Sequence, residues 1–285
     1  CESMLLSSSA PDYERKRGKL GNVPIISRTI PIEIEDRKED VNKRLDITVW
    51  EMDDPSDLIQ EWWNTDLLER NARLGDPFGV VMWPGSILAS MEMMKLHYSS
   101  SQSPITNSTV LVLGAGTGVE VQVAALIGAS KVVATDINAL TLKLLEYGAK
   151  CDGRIDDGAI EGKYFDLCSD EVLPACDVLI AADVLYNPAL AKQVGRRLHE
   201  AIVRSFEEGS SPTKVIITDS QKFHGTDFLR EVDELTALNA LFKENGWEQL
   251  KWEMRTIRAT TSGVLIDEDQ TSDVEIRLLC WGWQW

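Results

Sequence analysis

The sequence predicts an α/β fold with a mostly parallel sheet, on the basis of three observations. Residues 110–113 are four consecutive apolar residues, which suit a strand buried on both faces. A glycine-rich turn follows, then a helical segment at 119–127 and a second apolar strand at 132–135. Further apolar strands and helical segments continue to residue 218, and this succession is typical of βαβ units whose strands lie parallel.

The turn after the first of these strands has the spacing G-x-G-x-G, at Gly114, Gly116 and Gly118. Glycines let the backbone turn tightly and approach a ligand closely, and the free N–H groups at the start of the next helix favour an anionic group. Asp136 ends the second strand, where it is placed to accept hydrogen bonds from ribose hydroxyls. A dinucleotide fingerprint needs G-x-G-x-x-G, whereas G-x-G-x-G is typical of S-adenosylmethionine sites. A glycine turn without a ligand is the alternative.

Four successive predicted strands end in a carboxylate. In open α/β sheets the ligand crevice lies outside the carboxyl ends of the strands. Four acids at this edge therefore predict a polar site. They are Asp136, Asp166, Asp183 and Asp219.

The segment before the glycine turn divides into a tail and an extension. Residues 1–28 lack an apolar period, so we expect a disordered tail. Residues 30–34 and 45–49 alternate apolar and polar side chains, which predicts a hairpin. A helix should begin with Asp54 as its N-cap and Pro55 at its first position. We expect a single domain of residues 29–285, in which residues 29–80 form an N-terminal extension. The apolar stripe of this helix is interpreted as core: Leu58, Ile59, Trp62, Trp63 and Leu67.

The rest of the chain predicts further helices and a strand pair. Helices are expected at 139–147 and 188–207, with a polar loop at 148–158. A helix at 227–245 leads to strands at 248–258 and 274–283, which must be antiparallel because one loop joins them. Three tryptophans should share one face of the last strand and pack there: Trp281, Trp283 and Trp285.

Composition limits the classes of function. The chain has 46 acidic and 29 basic side chains, a formal net charge of −17, which repels the phosphate backbone that nucleic-acid binders neutralise. We therefore expect no nucleic-acid substrate; a basic protein partner and a merely solubilising acidic surface are the two interpretations of the charge. No metal site is predicted, because the five cysteines form no C-x-x-C pair and the three histidines are scattered.

The sequence also carries expectations about the protein's surroundings. No apolar run approaches the ~18 residues that a membrane span requires, so we expect no membrane partner. We expect a monomer in the cytoplasm. Targeting to an organelle stays open, because the chain begins with Cys1 rather than Met.

Together these motifs resemble the class I, seven-β-strand, S-adenosylmethionine-dependent methyltransferases, and within them the methyltransferase-like branch that modifies lysine on non-histone proteins. The resemblance covers residues 30–285. The glycine turn identifies the superfamily, whereas Trp83-Pro84 with Asp183-Val184-Leu185-Tyr186, a D-x-x-Y signature, is specific to the branch. It implies a Rossmann-like, seven-stranded, mostly parallel sheet with an antiparallel C-terminal strand, and S-adenosylmethionine as cofactor.

The resemblance also implies a role for each matching residue. Trp83 would pack on the cofactor and Asp136 would hold its ribose. Asp183 and Tyr186 would face the reacting nitrogen as the catalytic residues. The other implied cofactor contacts are Gly114, Ala115 and Gly116 at the methionine half, Gly118 at the helix start, Asp166 or Leu167 at the adenine, and Ala182 beside it.

Three positions depart from the branch's pattern. Val112 stands where an acidic residue usually lies two positions before the first glycine, which puts one tether of the methionine amino group in doubt. Leu167 replaces an aromatic residue after the adenine-side acid. An asparagine often found at the end of the second helix is missing from residues 147–150.

Methyl transfer to lysine imposes its own chemistry. A sulfonium methyl group is already activated, so positioning is most of the work. The lysine ammonium, with a pKa near 10.4, must lose a proton, which costs about 4.6 kcal/mol at pH 7. A carboxylate favours the charged amine, so Asp183 is assigned to orienting the cation, with a water as proton exit, and Tyr186 to an aromatic wall and a cation–π contact.

Three other functions compete with this interpretation. Fold does not fix the acceptor, so a small-molecule methyltransferase is the first alternative. A cofactor-binding interaction module without catalysis is the second, and Val112 is the feature that motivates it. A nicotinamide oxidoreductase is the third, and the missing third glycine of its fingerprint counts against it.

Overall fold

The computed structural model describes residues 15–36, 41–65, 76–99, 103–220, 228–244, 246–261 and 270–283. The strands are β1 Arg17–Leu20, β2 Val23–Asp36, β3 Val41–Met52, β4 Thr109–Leu113, β5 Lys131–Asp136, β6 Ile160–Tyr164, β7 Val178–Ala182, β8 Lys214–Asp219, β9 Glu253–Thr261 and β10 Gln270–Trp281. The α-helices are α1 Ser56–Asn64, α2 Pro84–Ser99, α3 Val119–Leu126, α4 Ala139–Asp152, α5 Pro188–Glu207, α6 Phe228–Glu231 and α7 Asp233–Glu244, and a 3₁₀ helix spans Pro77–Val80.

The larger sheet has the strand order β6-β5-β4-β7-β8-β10-β9. Strands β4 to β8 pair in parallel, and β10 is antiparallel to both β8 and β9. The predicted seven-stranded, mostly parallel sheet with an antiparallel C-terminal strand is confirmed. Chain order reverses between the neighbouring strands β4 and β7, so the ligand crevice of this fold lies at their carboxyl ends.

Alternate residues of β4 enter two separate cores, which explains its unbroken apolar sequence. Val110 and Val112 join the core shared with α2, α3 and the smaller sheet. Leu111 and Leu113 join the core shared with α5 and α7. Because both faces of the sheet are covered, the central strands need no polar alternation.

The smaller sheet is the antiparallel set β1-β2-β3. Its centre is the predicted hairpin, in which Ile30 opposes Ile47 and Ile32 opposes Leu45. The predicted disordered tail is wrong for residues 17–28, because a turn at Gly21, with φ of +63°, folds β1 back onto β2. Residues 1–14 of that tail lie outside the described residues.

Helix α1 begins one residue later than predicted, and its stripe is less buried. The Asp54 carboxylate accepts a hydrogen bond from the Ser56 N–H at 2.9 Å. Ile59 is buried, but Trp63 is 57% exposed, so the core interpretation of this tryptophan is wrong. Its ring packs edge-on against Trp62 on the surface, with centroids 5.1 Å apart. Leu67 lies outside the described residues.

Helix α4 continues to Asp152 through part of the predicted loop at 148–158. The helix passes beside the smaller sheet at Gly148, where a Cβ would make ordinary contacts, at 3.6 Å from both the Thr48 carbonyl oxygen and the Trp50 ring. Gly153 then ends the helix with φ of +70°.

The C-terminal part also differs from prediction. Buried Val232 separates α6 from α7 within the single helix expected at 227–245, and residues 227 and 245 are outside the described residues. Trp281 and Trp283 enter opposite cores rather than one face. The reason is Gly282, whose φ of +81° ends the strand and turns the chain between them. Trp285 is outside the described residues.

No helix in the described ranges is long and apolar enough to cross a bilayer.

A buried ion pair joins the smaller sheet to the segment before α2. Arg28 Nε donates to Glu51 Oε2 at 2.8 Å, and the Met82 N–H donates to Glu51 Oε1 at 2.6 Å. The two side chains are 8% and 3% exposed. Glu51 therefore fixes the chain immediately before Trp83.

We expect Glu51→Ala to lower the free energy of unfolding by about 3–5 kcal/mol, because it leaves Arg28 buried without this carboxylate. Glu33→Ala is the matched control: Glu33 pairs with Arg44 at the surface, so its loss should cost at most about 1 kcal/mol. Denaturant unfolding of the two variants measures the difference. Equal losses would contradict the anchoring role of Glu51.

Candidate functional site

The glycine turn is built so that its backbone stays open to a ligand. Gly114, Gly116 and Gly118 have φ of +62°, +51° and +81°, the left-handed region that favours glycine. A Cβ would lie 2.4 Å from Val184 Cγ1 at Gly114 and 2.6 Å from Leu145 Cγ at Gly118. At Gly116 nothing approaches closer than the Gly79 carbonyl oxygen, at 3.7 Å. The middle glycine thus borders the crevice.

Asp136 lies at the end of β5 with its carboxylate against this turn. Its Oδ2 accepts from the Gly116 N–H at 3.2 Å, and its Oδ1 accepts from the Asn138 N–H at 2.8 Å. Burial raises the pKa of Asp136 to about 6. Gly79 of the 3₁₀ helix covers the carboxylate, since a Cβ there would lie 3.3 Å from Oδ2.

Trp83 lies at the start of α2, partly buried beside the 3₁₀ helix. Its indole Nε1 donates to the Phe78 carbonyl oxygen at 2.8 Å, and the Phe78 ring meets it edge-on with centroids 6.5 Å apart. The hydrogen bond fixes the orientation of the indole. Whether this ring packs on a cofactor stays a prediction.

The loop after β6 carries Asp166 and Leu167, the residues predicted to border the adenine. Asp166 Oδ1 accepts from the Cys168 N–H at 2.8 Å, and Leu167 is buried. Arg197 of α5 holds this loop, because its guanidinium donates to the carbonyl oxygens of Leu167 and Ser169. Sequence reasoning missed Arg197; the signal was a basic residue within the apolar stripe of its helix.

Asp183 follows β7, and both oxygens of its carboxylate accept hydrogen bonds from other residues of the protein. The residue is buried and has φ of +55°. Its Oδ2 accepts from the Gly85 N–H at 2.6 Å and from the Ser220 hydroxyl at 2.9 Å, and its Oδ1 accepts from the Ser220 N–H at 2.6 Å. These three donors hold the Asp183 carboxylate in a fixed position, and its predicted role facing the reacting nitrogen stays a prediction.

Tyr186 reaches across the crevice to a carboxylate that the sequence did not single out. Its hydroxyl donates to Asp76 Oδ2. The other oxygen of Asp76 accepts from the Phe78 N–H at 2.9 Å, and its carbonyl oxygen accepts from Asn138 Nδ2 at 2.9 Å. Desolvation, with a smaller effect of the Asp136 charge, raises the pKa of Asp76 to about 7. The local sequence, an aspartate immediately before Pro77, predicts only an ordinary helix N-cap at Asp76.

The Tyr186–Asp76 hydrogen bond spans the end of β4. Tyr186 follows β7 on one side of β4, whereas Asp76 is bonded to Asn138, which follows β5 on the other side. Aromatic rings surround this bond: Phe78 contacts Tyr186 at 5.7 Å and Trp62 at 5.4 Å between centroids. The crevice is therefore bridged by a hydroxyl–carboxylate bond within an aromatic cluster.

A fifth acid, Glu120, lies in the first turn of α3 with no exposed surface. Neither carboxyl oxygen makes a well-formed hydrogen bond within the described part of the chain, although the Ser86 hydroxyl lies near. Desolvation, with a smaller effect of the Asp183 charge, raises the pKa of Glu120 to about 7. Sequence reasoning missed this residue too, because a glutamate in a first helical turn is ordinary.

The acids form two electrostatically coupled pairs on either side of the glycine turn. Asp76 and Asp136 interact on the β5 side, and Glu120 and Asp183 on the β7 side. Such a crevice favours cations, because a positive ligand relieves both the like-charge repulsion and the desolvation.

Ala182, also predicted to lie beside the adenine, is buried at the end of β7. No cluster of potential metal ligands occurs among the residues that the structure describes.

Comparison with protein families gives one match. Residues 64–205, about half of the chain, match a family described as lysine methyltransferase. The match contains the 3₁₀ helix, the glycine turn and the D-x-x-Y segment. No curated protein matches the chain significantly.

Two solved structures are similar to this chain at low sequence identity. A candidate RNA methyltransferase of Pyrococcus horikoshii is 17% identical, with a TM-score of 0.46, and the alignment covers 70% of this chain and 87% of that one. The magnesium protoporphyrin IX methyltransferase of Synechocystis PCC 6803, with bound S-adenosylhomocysteine, is 14% identical with a TM-score of 0.43, covering 79% and 93%. These similarities are too distant to identify an acceptor.

We expect Asp183→Asn to unfold more easily than the wild type, by at least about 2 kcal/mol. The amide nitrogen of asparagine is a donor, so it would oppose one of the donors from Gly85 and Ser220 and leave it unsatisfied. Asp157→Asn, in an exposed loop before β6, is the control and should change stability by less than about 0.5 kcal/mol. Denaturant unfolding measures both, and wild-type stability of Asp183→Asn would refute the positioning role.

The raised pKa values predict that the folded protein loses stability as pH rises. Asp136 and Asp183 have pKa values of about 6, and Asp76 and Glu120 of about 7, against ordinary values near 4 in the unfolded chain. Between these limits the folded state binds more protons, so its extra stability is fully present below about pH 4, falls progressively as pH rises from about 4 to 7, and is lost above the folded pKa values. Unfolding free energies at pH 5.5 and 8 measure the effect, and Glu120→Gln should reduce the difference. Higher stability at pH 8 would contradict it.

Proposed function

As a class I S-adenosylmethionine-dependent methyltransferase, this chain has a defined methyl donor, and we propose that its acceptor is a lysine side chain of another protein. The observation that carries the proposal is the Asp76 carboxylate, bonded to the Tyr186 hydroxyl across the crevice and lined by aromatic rings. An ammonium group on an aliphatic stem fits such a site, because the carboxylate attracts the charge and the rings pack on the stem.

The residues of the crevice fit the cofactor. The open backbone at Gly116 admits a ligand without a side chain in the way, and Asp136 Oδ atoms are suited to accept from ribose hydroxyls. Leu167 and Ala182 are apolar and would border the adenine, and Trp83 would cover the nucleoside. When bound, S-adenosylmethionine supplies a methyl group that its sulfonium already activates.

Access to this site requires a local opening. Gly79 covers the Asp136 carboxylate, and the Tyr186–Asp76 bond closes the crevice above the glycine turn. We infer that the 3₁₀ helix moves aside when the ribose binds, and that the Tyr186–Asp76 bond opens. Asp76 then becomes available to the acceptor ammonium at the moment when the cofactor is in place.

Asp76 is also suited to the proton that lysine must lose. Burial raises the pKa of this carboxyl group to about 7, and a base is most effective when its pKa lies near the working pH. The proton passes from the ammonium nitrogen to Asp76, which leaves the amine lone pair free and the carboxyl group neutral. This transfer is uphill, because the lysine ammonium has a pKa near 10.4 and the Asp76 carboxyl group one of about 7, so the charged amine stays the ground state and the free amine is a minor form that accepts the methyl group.

Charge favours a protein acceptor with a basic surface. The net charge of −17 attracts a positive surface and repels nucleic acid. Lysine residues in such a surface would be drawn to the crevice, which is itself acidic. A small neutral metabolite would gain nothing from either feature.

Labelled methyl transfer tests the proposed acceptor. The protein is incubated with a cell lysate and S-adenosylmethionine carrying a labelled methyl group, and modified residues are identified by mass spectrometry. Label on lysine of a protein supports the proposal. Label confined to metabolites, or to other residue types, overturns it.

We expect Asp76→Asn to lower methyl transfer at least ~10-fold while the affinity for S-adenosylhomocysteine stays within a few-fold, because Asp76 acts on the acceptor rather than on the cofactor. Tyr186→Phe should cost less than Tyr186→Ala, because the ring is the wall and the hydroxyl only holds Asp76. Asp157→Asn, at the opposite edge of the sheet, is the control. Wild-type transfer by folded Asp76→Asn would remove Asp76 from the mechanism.

A further inference from the structure

We propose that Glu120 binds the α-ammonium group at the methionine end of the cofactor. Its carboxyl group is fully buried in the first turn of α3, and both oxygens lack a hydrogen-bond partner in the described part of the chain. Buried polar side-chain atoms are nearly always satisfied, and an unsatisfied one calls for an explanation. A cation that arrives with the ligand provides it.

The position of Glu120 suits this role. Helix α3 follows β4 directly through the glycine turn, and the Glu120 carboxyl interacts with Ser86, at the start of α2, and with Asp183, after β7. These elements meet where chain order reverses between β4 and β7. Ligands of open α/β sheets bind at this reversal, so Glu120 lies on elements that meet at the expected ligand site.

The groups around Glu120 supply no positive charge. Asp183 is itself acidic, and its carboxylate already accepts hydrogen bonds from Gly85 and Ser220. Ser86 is neutral. No lysine or arginine forms a salt bridge with Glu120 among the residues that the structure describes. The cofactor carries an ammonium group, which would satisfy the two oxygens and relieve the repulsion from Asp183.

Val112 leaves the end of β4 without an acid two positions before the first glycine. Its side chain is buried in the core shared with α2 and α3 and supplies no charge. An acid that binds the α-ammonium group must then come from another element, and Glu120 is a buried acid on the helix that follows the glycine turn.

This inference goes beyond the proposed acceptor and does not depend on it. It concerns cofactor binding alone, so it is tested without a methyl acceptor. Failure of the lysine proposal would leave it intact, and its own failure would leave the lysine proposal intact.

Three ligands separate the ammonium from the rest of the cofactor. S-adenosylhomocysteine carries the α-amino group, its desamino analogue lacks only that group, and 5′-methylthioadenosine lacks the amino-acid end altogether. Calorimetry measures each with the wild type and with Glu120→Gln, which keeps the size of the side chain and removes its charge. Glu92→Gln is the matched control, because Glu92 is a buried glutamate of α2 that already pairs with Lys95 at 2.6 Å.

We expect Glu120→Gln to lower the affinity for S-adenosylhomocysteine at least ~10-fold, as for loss of one charge-assisted hydrogen bond. The affinity for 5′-methylthioadenosine should stay within about twofold of the wild-type value. The wild type should prefer S-adenosylhomocysteine to its desamino analogue by a similar factor, and Glu120→Gln should lose that preference. Glu92→Gln should match the wild type for all three ligands.

Two outcomes would overturn the assignment. The first is that Glu120→Gln lowers the affinities for S-adenosylhomocysteine and 5′-methylthioadenosine equally, which would mean that Glu120 affects the structure of the whole site. The second is a wild type that binds S-adenosylhomocysteine and the desamino analogue equally. This second measurement needs no variant, so it decides the matter even if Glu120→Gln fails to fold.

Discussion

The crevice depends on the hydrogen bonds of one buried carboxylate. Asp183 Oδ2 accepts from the Gly85 N–H at 2.6 Å and Oδ1 from the Ser220 N–H at 2.6 Å, which ties α2 and the end of β8 to the end of β7. Trp83 precedes Gly85 by two residues and Tyr186 follows Asp183 by three. The side chains that border the crevice are therefore held by bonds made below it, and the left-handed backbone of Asp183, with φ of +55°, is tolerated because these bonds fix it.

The same region carries an energetic cost. Asp76, Glu120, Asp136 and Asp183 all have raised pKa values, with burial as the first cause. Buried carboxylates destabilise a folded chain unless they are paired or neutralised. Clusters of perturbed acids occur where chemistry needs them. A cationic cofactor and a cationic acceptor would each relieve part of this cost, which couples the stability of the crevice to its occupancy.

The two acid pairs divide the work of the site between its sides. On the β7 side, Asp183 accepts hydrogen bonds from Gly85 and Ser220, and the Glu120 oxygens have no hydrogen-bond partner among the described residues, which suits the proposed contact with the cofactor. On the β5 side, Asp76 accepts from the Tyr186 hydroxyl and the Phe78 N–H, and in the proposed function an acceptor ammonium group replaces the hydroxyl. The proposed cofactor anchor and the proposed acceptor contact thus lie on different sides of the glycine turn.

Much of this architecture was determined by the sequence alone, because the signals are local. Unbroken apolar runs predicted the central strands, the glycine spacing predicted the turn, and Asp136 followed from its place at a strand end. Local signals could not assign partners. Asp183 is bonded to Gly85, 98 residues away, and Tyr186 to Asp76, 110 residues away. Glu120 is conspicuous only because its buried oxygens have no hydrogen-bond partner in the part of the chain that the structure describes. Only the tertiary structure decided these roles, because hydrogen bonding and desolvation depend on which distant groups the fold brings together.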